Sequence, residues 1–309
     1  MPRFPNAIRR RTLLAGLAGA GAAAASWPIG AQTAPAISRA LPATGERIPA
    51  IGLGTWITFN VGDDPALRDS RVEVMRAFFE MGGSVIDSSP MYGSSEAVIG
   101  DGLARIGTPR TLFAATKVWT WRQGAGPDQM AESRRLWGVR RFDAMQIHNL
   151  LGWEGHLETL LEDKAQGRIR LIGITTSHGR DHDTFATIMA RQPIDLVQFT
   201  YNIIDREPEA RLLPLAAERG LGVIVNRPFR QGDLIRRVSR HPLPAWAGEI
   251  DCRTWSQFLL KFIVSHPAVT CAIPATTRVD HLRENMGSRY GPLPDTAMRE
   301  RMARHVRDL

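Results

Sequence analysis

Eight short apolar segments alternate along this chain with segments of helical periodicity, and this alternation limits the possible folds more than any other feature. Strands that are apolar on both faces are typical of a parallel sheet covered by helices. The predicted strands are residues 51–56, 84–87, 112–117, 143–148, 168–174, 195–199, 221–225 and 269–273. Eight such repeats in 309 residues predict a closed (β/α)8 TIM barrel. A doubly wound sheet is disfavoured, because Gly52-Leu53-Gly54 lacks the third glycine of a G-x-G-x-x-G turn and leads into no helix.

The predicted helices fill the intervals between the strands, and two further elements lie outside the barrel. Helical spacing covers residues 69–81, 94–106, 128–138, 153–166, 182–191, 207–219, 251–265 and 279–286. Residues 37–50 predict a hairpin ahead of the first barrel strand, and residues 295–306 predict an extra C-terminal helix. A long loop with several prolines follows the strand at 221–225. The barrel domain is therefore predicted to span residues 37–309.

Three consecutive predicted strands end in reactive side chains. The strand at 84–87 ends in Asp87 and opens into a loop that carries Tyr92, while the next two strands end in Lys117 and His148. In a barrel of this kind the carboxyl ends of the strands share the face where catalysis occurs. The chain has only three tyrosines and three lysines, which makes the coincidence informative. Taken singly, Asp87 could simply cap a turn and His148 could be a core imidazole.

These four residues suit the reduction of a carbonyl group. Hydride addition leaves negative charge on oxygen, and a free tyrosine with a pKa of ~10 is a weak proton donor to it. The Lys117 cation favours the phenolate and is expected to lower the pKa of Tyr92, while Asp87 keeps the lysine charged and fixed. His148 can hydrogen-bond the same oxygen and orient the carbonyl. No side chain supplies hydride, so the reaction requires a cofactor.

The first thirty or so residues have the features of an export signal. Arg9-Arg10-Arg11-Thr12-Leu13-Leu14 precedes an Ala- and Gly-rich stretch that is short for a membrane span. This pattern resembles a twin-arginine signal, with an ordinary secretory signal or a retained anchor as the alternatives. We expect residues 1–31 to be a signal peptide, with cleavage between Ala31 and Ala36. The expected partner is the twin-arginine export machinery, which carries folded proteins, and the expected location is the bacterial periplasm.

Composition argues against several other classes of function. The net charge is +8, but four arginines before residue 12 contribute half of it, so nucleic acid is not an expected partner. Cys252 and Cys271 are the only cysteines, so no disulfide framework is implied. His178 and His182 have the spacing of metal ligands on a helix, but no third ligand is near them, and a solvated face is the simpler interpretation. A metal-assisted hydrolase would need clustered His and Asp residues at strand ends, and no metal is expected.

Short motifs in a fixed order carry a resemblance to a known family. They are Ile51-Gly52-Leu53-Gly54-Thr55-Trp56, Asp87 to Gly93, Lys117, Gln146-Ile147-His148-Asn149, Arg170-Leu171-Ile172-Gly173-Ile174-Thr175, and Ile273-Pro274-Ala275-Thr276 with Glu284-Asn285. Together they resemble the aldo-keto reductases from about residue 48 to residue 285. The resemblance implies a metal-free (β/α)8 barrel that reduces aldehydes or ketones with NAD(P)H. It also implies Tyr92 as the general acid, Lys117 and Asp87 as its tuning pair, and His148 as the group that orients the carbonyl.

The resemblance further implies residues that bind the cofactor and the substrate. Those expected around the nicotinamide and its carboxamide are Gly54, Thr55, Trp56, Asp87, Thr175, Thr176 and Gln198. Those expected along the dinucleotide are Asn226, Arg227, Pro228 and Phe229, and those at its adenosine end are Thr276, Arg278, His281, Glu284 and Asn285. Trp56 and Trp119 are candidates for the wall of the substrate pocket, although a tryptophan in a loop, such as Trp119, is as often a packing residue.

Four positions differ from the usual residues of the family. Thr175-Thr176 stands where many relatives carry Ser-Asn, and Asn226 stands where an aromatic residue often stacks on the nicotinamide. Ala275 and His281 occupy positions that are often basic in relatives that bind the 2′-phosphate. NADPH is the expected cofactor, with NADH as the alternative. A second hypothesis for the function is a cofactor-sensing regulatory protein of the same fold with little turnover.

Overall fold

A computed structural model describes residues 35–309, and the expected signal peptide over residues 1–31 lies outside the described residues. The described part begins with the predicted hairpin, in which β1 (Ser38–Ala40) pairs antiparallel with β2 (Arg47–Pro49). Leu41 and Ile48 of this hairpin are buried in the interior of the barrel. Arg170 binds both Glu46 of the hairpin and Asp143 of the barrel wall. The hairpin is therefore held across one end of the barrel by apolar burial and by charge.

Eight parallel strands follow and confirm the predicted barrel. They are β3 (Leu53–Gly54), β4 (Val85–Asp87), β5 (Phe113–Val118), β6 (Phe142–Ile147), β7 (Ile169–Thr175), β8 (Leu196–Thr200), β9 (Gly222–Asn226) and β10 (Cys271–Ala272). Neighbours in sequence are neighbours in the sheet, from β3 to β10. Parallel bridges from Ile51 to Ala272 and from Gly54 to Ala275 join the first strand to the last. At this seam a Cβ on Gly54 would lie 2.6 Å from the Ile273 carbonyl oxygen, so the closure of the barrel requires glycine there.

Ten α-helices accompany the described strands. They are α1 (Pro65–Glu80), α2 (Ser95–Ile106), α3 (Gly126–Trp137), α4 (Trp153–Ala165), α5 (His182–Arg191), α6 (Leu212–Arg219), α7 (Asp233–Val238), α8 (Trp255–Val264), α9 (Val279–Gly287) and α10 (Thr296–Asp308). The last of these is the predicted C-terminal helix. Among residues 35–309, no helix combines the length and hydropathy needed to cross a bilayer.

Three helices differ from their predicted bounds for local reasons. Helix α1 begins four residues early, because Asp64 accepts a hydrogen bond from the Leu67 amide and Pro65 suits the first turn. The predicted helix at 207–219 is a 3₁₀ turn followed by α6, because the backbone of Arg211 leaves the helical region at φ −143°. Helix α8 begins only at Trp255, after a Thr254 cap. The six-residue helix α7 lies in the segment predicted as a loop.

The alternation of side chains along the strands separates two apolar cores. One core lies between the barrel and its helices, and the other fills the barrel interior. The interior core is made by Leu41, Ile48, Val85, Phe113, Ala115, Ala144, Leu171, Leu196, Ile224, Cys271 and Ile273. Two residues further along β4, β5, β6 and β8, the inward positions are polar, because strand side chains repeat with a period of two. The apolar interior core is therefore followed by a polar layer at the carboxyl ends of the strands.

Candidate active site

The polar layer consists of side chains from four strands that face the barrel interior. They are Asp87 of β4, Lys117 of β5, Gln146 of β6 and Gln198 of β8, and each is almost fully buried. The register of the sheet sets Asp87 beside Ala115 and Lys117 beside Gln146. Asp87 and Lys117 were predicted to meet because their strands end side by side, and the structure brings them together.

Asp87 is the centre of a buried hydrogen-bond network. Its Oδ2 accepts a 2.5 Å hydrogen bond from Lys117 Nζ, and its Oδ1 accepts bonds of 2.9 Å from Gln146 Nε2 and from Gln198 Nε2. Lys117 Nζ also donates to the carbonyl oxygen of Ser88 at 2.7 Å. Burial lowers the pKa of Lys117, but Asp87 and the nearby Tyr92 outweigh it and raise the pKa above its ordinary value. The lysine is therefore a fixed cation.

Tyr92 lies at the end of a 3₁₀ turn, Pro90–Tyr92, directly after β4. Lys117 Nζ is 5.2 Å from the centroid of the tyrosine ring, and the His148 ring meets that ring edge-on at 5.7 Å. Burial raises the pKa of Tyr92, and the opposing effect of the Lys117 cation is smaller. The expectation that the lysine lowers this pKa overall was wrong, because it left out the cost of desolvating the phenolate. Tyr92 is consequently a neutral phenol at physiological pH.

His148 follows β6 and is held as a neutral imidazole. Burial, together with the positive charges of Lys117 and Arg180, lowers the pKa of His148 to about 3. Its Nδ1 is 2.8 Å from the hydroxyl oxygen of Ser89. The four residues predicted as catalytic are thus gathered at one end of the barrel, with a charged pair beneath a phenol and a neutral imidazole.

These residues open onto a cleft of about 880 Å³ at the carboxyl ends of the strands. The predicted site residues that line it are Gly54, Thr55, Trp56, Asp87, Tyr92, His148, Thr175, Gln198, Asn226, Arg227, Pro228, Phe229, Thr276, His281, Glu284 and Asn285. Lys117 lies behind Asp87 rather than on the surface of the cleft. Ile57, Met91 and Trp255 also line it and were not predicted.

Besides Lys117, three predicted site residues do not line the cleft. Thr176 is buried, and its hydroxyl donates to the Arg180 carbonyl. Arg278 binds Asp280 on the exposed surface beside the cleft. Trp119 is 41% exposed, and Gln129 accepts a hydrogen bond from its amide and donates one to its carbonyl. The structure therefore gives no support for Trp119 as a wall of the substrate pocket.

Sequence reasoning also missed two side chains that organise the site. Gln146 shares Asp87 with Gln198 and accepts a 3.1 Å hydrogen bond from the Gln198 amide. The Ser89 hydroxyl contacts His148. Gln146 and Ser89 both belong to the motifs that carry the resemblance. The signal that could have identified Gln146 is the period of two along β6, which turns it to the same side as His148.

The cleft has features that suit a dinucleotide. Arg227 lines it, and within residues 35–309 its buried Nη1 atom has no hydrogen-bond partner. Burial lowers the pKa of Arg227, so its charge is held at an energetic cost that an anion would offset. Gln231 and Gly232 of the same loop also line the cleft. The Arg227 guanidinium suits a pyrophosphate group, whereas residues 35–309 contain no cluster of His, Cys, Asp or Glu that could hold a metal.

Comparison with known proteins gives consistent matches. Residues 50–303 match the sequence model of the Aldo/keto reductase family. Methylglyoxal reductase YeaE of Escherichia coli is 28% identical over 249 residues, which are 77% of this chain and 84% of the relative. An NADH-specific methylglyoxal reductase of E. coli is 26% identical over 67% of this chain and 72% of the relative. An aldo/keto reductase from Klebsiella pneumoniae in complex with NADP and acetate superposes with a TM-score of 0.70, at 24% identity over 85% of this chain and 93% of that one.

Proposed function

The chain belongs to the aldo/keto reductase family, and we propose that it reduces the carbonyl group of an aldehyde or ketone to an alcohol, with NADPH as the electron donor and Tyr92 as the general acid. The family makes it an NAD(P)H-dependent oxidoreductase. The observation that supports the assignment of Tyr92 is the buried Lys117–Asp87 pair directly beside its ring, in a cleft that His148 also lines. The NADH-specific relative keeps NADH as the alternative cofactor.

Each residue of the site then has a distinct task. When bound, the reduced nicotinamide supplies a hydride to the carbonyl carbon. Tyr92 gives its phenolic proton to the carbonyl oxygen, and Lys117 stabilises the phenolate that this transfer leaves. Asp87 holds the lysine in its charged form through the ion pair. His148, neutral above about pH 3, donates a hydrogen bond to the same oxygen without competing for its proton.

The cofactor would be held by several side chains that line the cleft. Thr175 and Gln198 suit the nicotinamide carboxamide, because a hydroxyl and an amide can match its donor and acceptor. Arg227 suits the pyrophosphate, since its buried Nη1 has no other partner within residues 35–309. Glu284 and Asn285 also line the cleft, and we propose that they hold the adenosine.

The substrate is proposed to be a small carbonyl compound without a requirement for charge. Trp56, Ile57 and Met91 line the same cleft as Tyr92 and offer apolar contacts. Two relatives from E. coli carry the name methylglyoxal reductase, so methylglyoxal belongs among the first compounds to be assayed. Aromatic and aliphatic aldehydes of increasing size should complete the set.

The deciding experiment is the substitution Tyr92→Phe, which removes the proton and keeps the ring. Turnover of aldehydes should fall roughly 100- to 10,000-fold, while the dissociation constant for NADPH, measured from quenching of tryptophan fluorescence, should stay within a factor of about two. Tyr290→Phe is the matched control, because Tyr290 lies outside the cleft, and it should retain full turnover.

Unchanged turnover in Tyr92→Phe would refute the general-acid assignment. Wild-type protein that binds nucleotide tightly and yet reduces no aldehyde or ketone would instead favour the cofactor-sensing alternative. The two outcomes are separate, because the second is visible before any residue is changed.

We also propose that the protein is exported after folding by the twin-arginine machinery. The support is the Arg10-Arg11 pair, followed by Thr12, Leu13-Leu14 and an Ala- and Gly-rich stretch. A reductase that uses a cytoplasmic nucleotide gains from a route that carries it folded and loaded to the periplasm.

A further inference from the structure

One buried hydroxyl connects the two groups that would act on the substrate oxygen. Ser89 has no exposed surface and lies between the end of β4 and the 3₁₀ turn that carries Tyr92. Its hydroxyl oxygen is 2.8 Å from His148 Nδ1 and accepts a 3.2 Å hydrogen bond from the Met91 amide. Its carbonyl oxygen accepts a 2.9 Å bond from the Tyr92 amide. A single residue thus contacts both the tyrosine turn and the imidazole.

Counting protons assigns a direction to the bond between Ser89 and His148. A serine hydroxyl has one proton to donate, and a neutral imidazole has one protonated nitrogen and one acceptor nitrogen. The Met91 amide already donates to the hydroxyl oxygen, and within residues 35–309 the only acceptor near that hydroxyl is His148 Nδ1. A buried hydroxyl without an acceptor would be costly, so the hydroxyl donates to Nδ1. The imidazole proton is then on Nε2.

We infer that Ser89 is a positioning residue that fixes His148 as the tautomer with its proton on Nε2, so that the imidazole presents a hydrogen-bond donor to the cleft. The inference rests on the proposed carbonyl reduction and deepens it. His148 lines the cleft, and within the described chain its Nε2 has no hydrogen-bond partner. The opposite tautomer would turn a lone pair towards the substrate oxygen and repel it.

The consequence is that two donors, the Tyr92 hydroxyl and His148 Nε2–H, would converge on one oxygen. A hydrogen bond to developing negative charge strengthens as the charge grows, so the effect should be larger on the reaction than on substrate binding. Ser89 touches neither the substrate nor the cofactor in this arrangement, and it acts only through His148 and the turn that it caps.

The direct test is nitrogen NMR of the wild-type protein labelled with ¹⁵N-histidine. Protonated and unprotonated imidazole nitrogens have well-separated chemical shifts, and the His148→Gln variant identifies which of the eight histidines gives the signals. We expect a protonated Nε2 and an unprotonated Nδ1 at pH 7. A protonated Nδ1 on His148 in the wild-type protein would overturn the inference, whatever the variants do.

The Ser89→Ala substitution tests the effect on turnover. Without the hydroxyl, both His148 tautomers should be populated, so that the chemical shifts of the two ring nitrogens move towards each other. The value of kcat should fall roughly two- to tenfold, the size expected for one neutral hydrogen bond. KM and the dissociation constant for NADPH should change less than kcat. Ser89→Thr keeps the hydroxyl and should restore the single tautomer. Ser95→Ala is the matched control, because it removes a buried hydroxyl whose partner is Ser88, and it should keep the tautomer and kcat.

A purely structural role for Ser89 gives a different result. In that case Ser89→Ala would lower the fraction of folded protein while the folded molecules keep one His148 tautomer and the wild-type kcat, and this outcome would overturn the inference. If the proposed reductase function itself is wrong, no aldehyde is turned over by any variant, but the NMR result for the wild-type protein still decides the tautomer.

Discussion

Asp87→Asn should remove the charge that holds Lys117 while keeping the shape of the side chain. The two glutamine amides that donate to Oδ1 can still bind the asparagine oxygen. In the wild-type protein, Asp87 Oδ2 accepts a 2.5 Å hydrogen bond from Lys117 Nζ. In the variant, an amide NH2 group that cannot accept this bond takes the place of Oδ2. Since both side chains are 2% exposed or less, water cannot replace the lost partner. The variant should therefore carry an unpaired buried cation or lose its proton.

The free energy needed to remove the Lys117 proton sets an upper limit on the loss of stability in the variant. Taking a proton from a lysine with an unfolded pKa of ~10.4 costs about 4.6 kcal/mol at pH 7, at about 1.36 kcal/mol per pH unit. Removing one partner of a buried pair typically costs about 3–5 kcal/mol, which agrees with this limit. We therefore expect the free energy of unfolding to fall by about 4 kcal/mol at pH 7.

The sign of the pH dependence follows from linkage. In the wild-type protein the pKa of Lys117 is raised, so its contribution to stability is complete below the unfolded pKa and is lost only as the pH rises through the higher folded value. In the variant the folded pKa is lowered, so the variant gains stability relative to the wild-type protein as the pH rises towards ~10.4. At pH 9 the same calculation limits the difference in the free energy of unfolding between the two proteins to about 1.9 kcal/mol.

Urea unfolding of both proteins at pH 7 and pH 9 measures this change. Glu132→Gln is the matched control, because it breaks an exposed ion pair with Arg135 and should hardly alter stability at either pH. A difference between wild type and Asp87→Asn that is the same at both pH values would show that Lys117 does not change its protonation, and the argument would fail. Nucleotide binding should weaken little, whereas carbonyl reduction should be largely lost.

Three further perturbations test other parts of the structure. Arg227→Leu should raise the dissociation constant for NADPH roughly tenfold or more, because it removes a hydrogen bond to a charged group. Arg191→Leu, at the exposed end of α5, is the control and should leave this constant unchanged. Equal effects of the two substitutions would exclude Arg227 from the anion site. Glu96→Gln should be tolerated. Because burial raises the pKa of Glu96, the wild-type protein should lose stability relative to this variant as the pH rises above 4.5. Urea unfolding measures the difference in stability between the two proteins, and a difference that does not change with pH would contradict this expectation. Replacing Arg10 and Arg11 by lysine should retain the protein in the cytoplasmic fraction of a bacterial host, and unimpaired export would exclude the twin-arginine route.

The sequence was sufficient for the barrel and for the position of the predicted catalytic set. Strands apolar on both faces require a covered parallel sheet, and neighbouring strands of such a sheet end side by side. For that reason the sequence alone predicts Asp87, Lys117 and His148 on one face, and in the structure all three lie at the carboxyl ends of neighbouring strands. Tyr92 followed because only four residues separate it from the end of β4.

Other features depend on information that the sequence does not carry. The bonds from Gln146 to Asp87 and from Ser89 to His148 depend on side-chain rotamers, and many rotamers fit the same pattern. The six residues of α7 are too few to show helical periodicity. The direction of the shift in the pKa of Tyr92 depends on the balance between burial and charge, and only the structure gives the extent of burial.

The seam that closes the barrel has a consequence for the order of folding. Ile51 meets Ala272 across roughly 220 residues of intervening chain, so this pairing must overcome a large loss of chain entropy and should form late. Gly54, Thr55 and Thr276 meet only when that seam forms, and all three line the cleft. Nucleotide should therefore bind only after closure and lag behind the gain of helical circular dichroism during refolding. A bound dinucleotide would then stabilise the pairing between the first and last strands of the barrel.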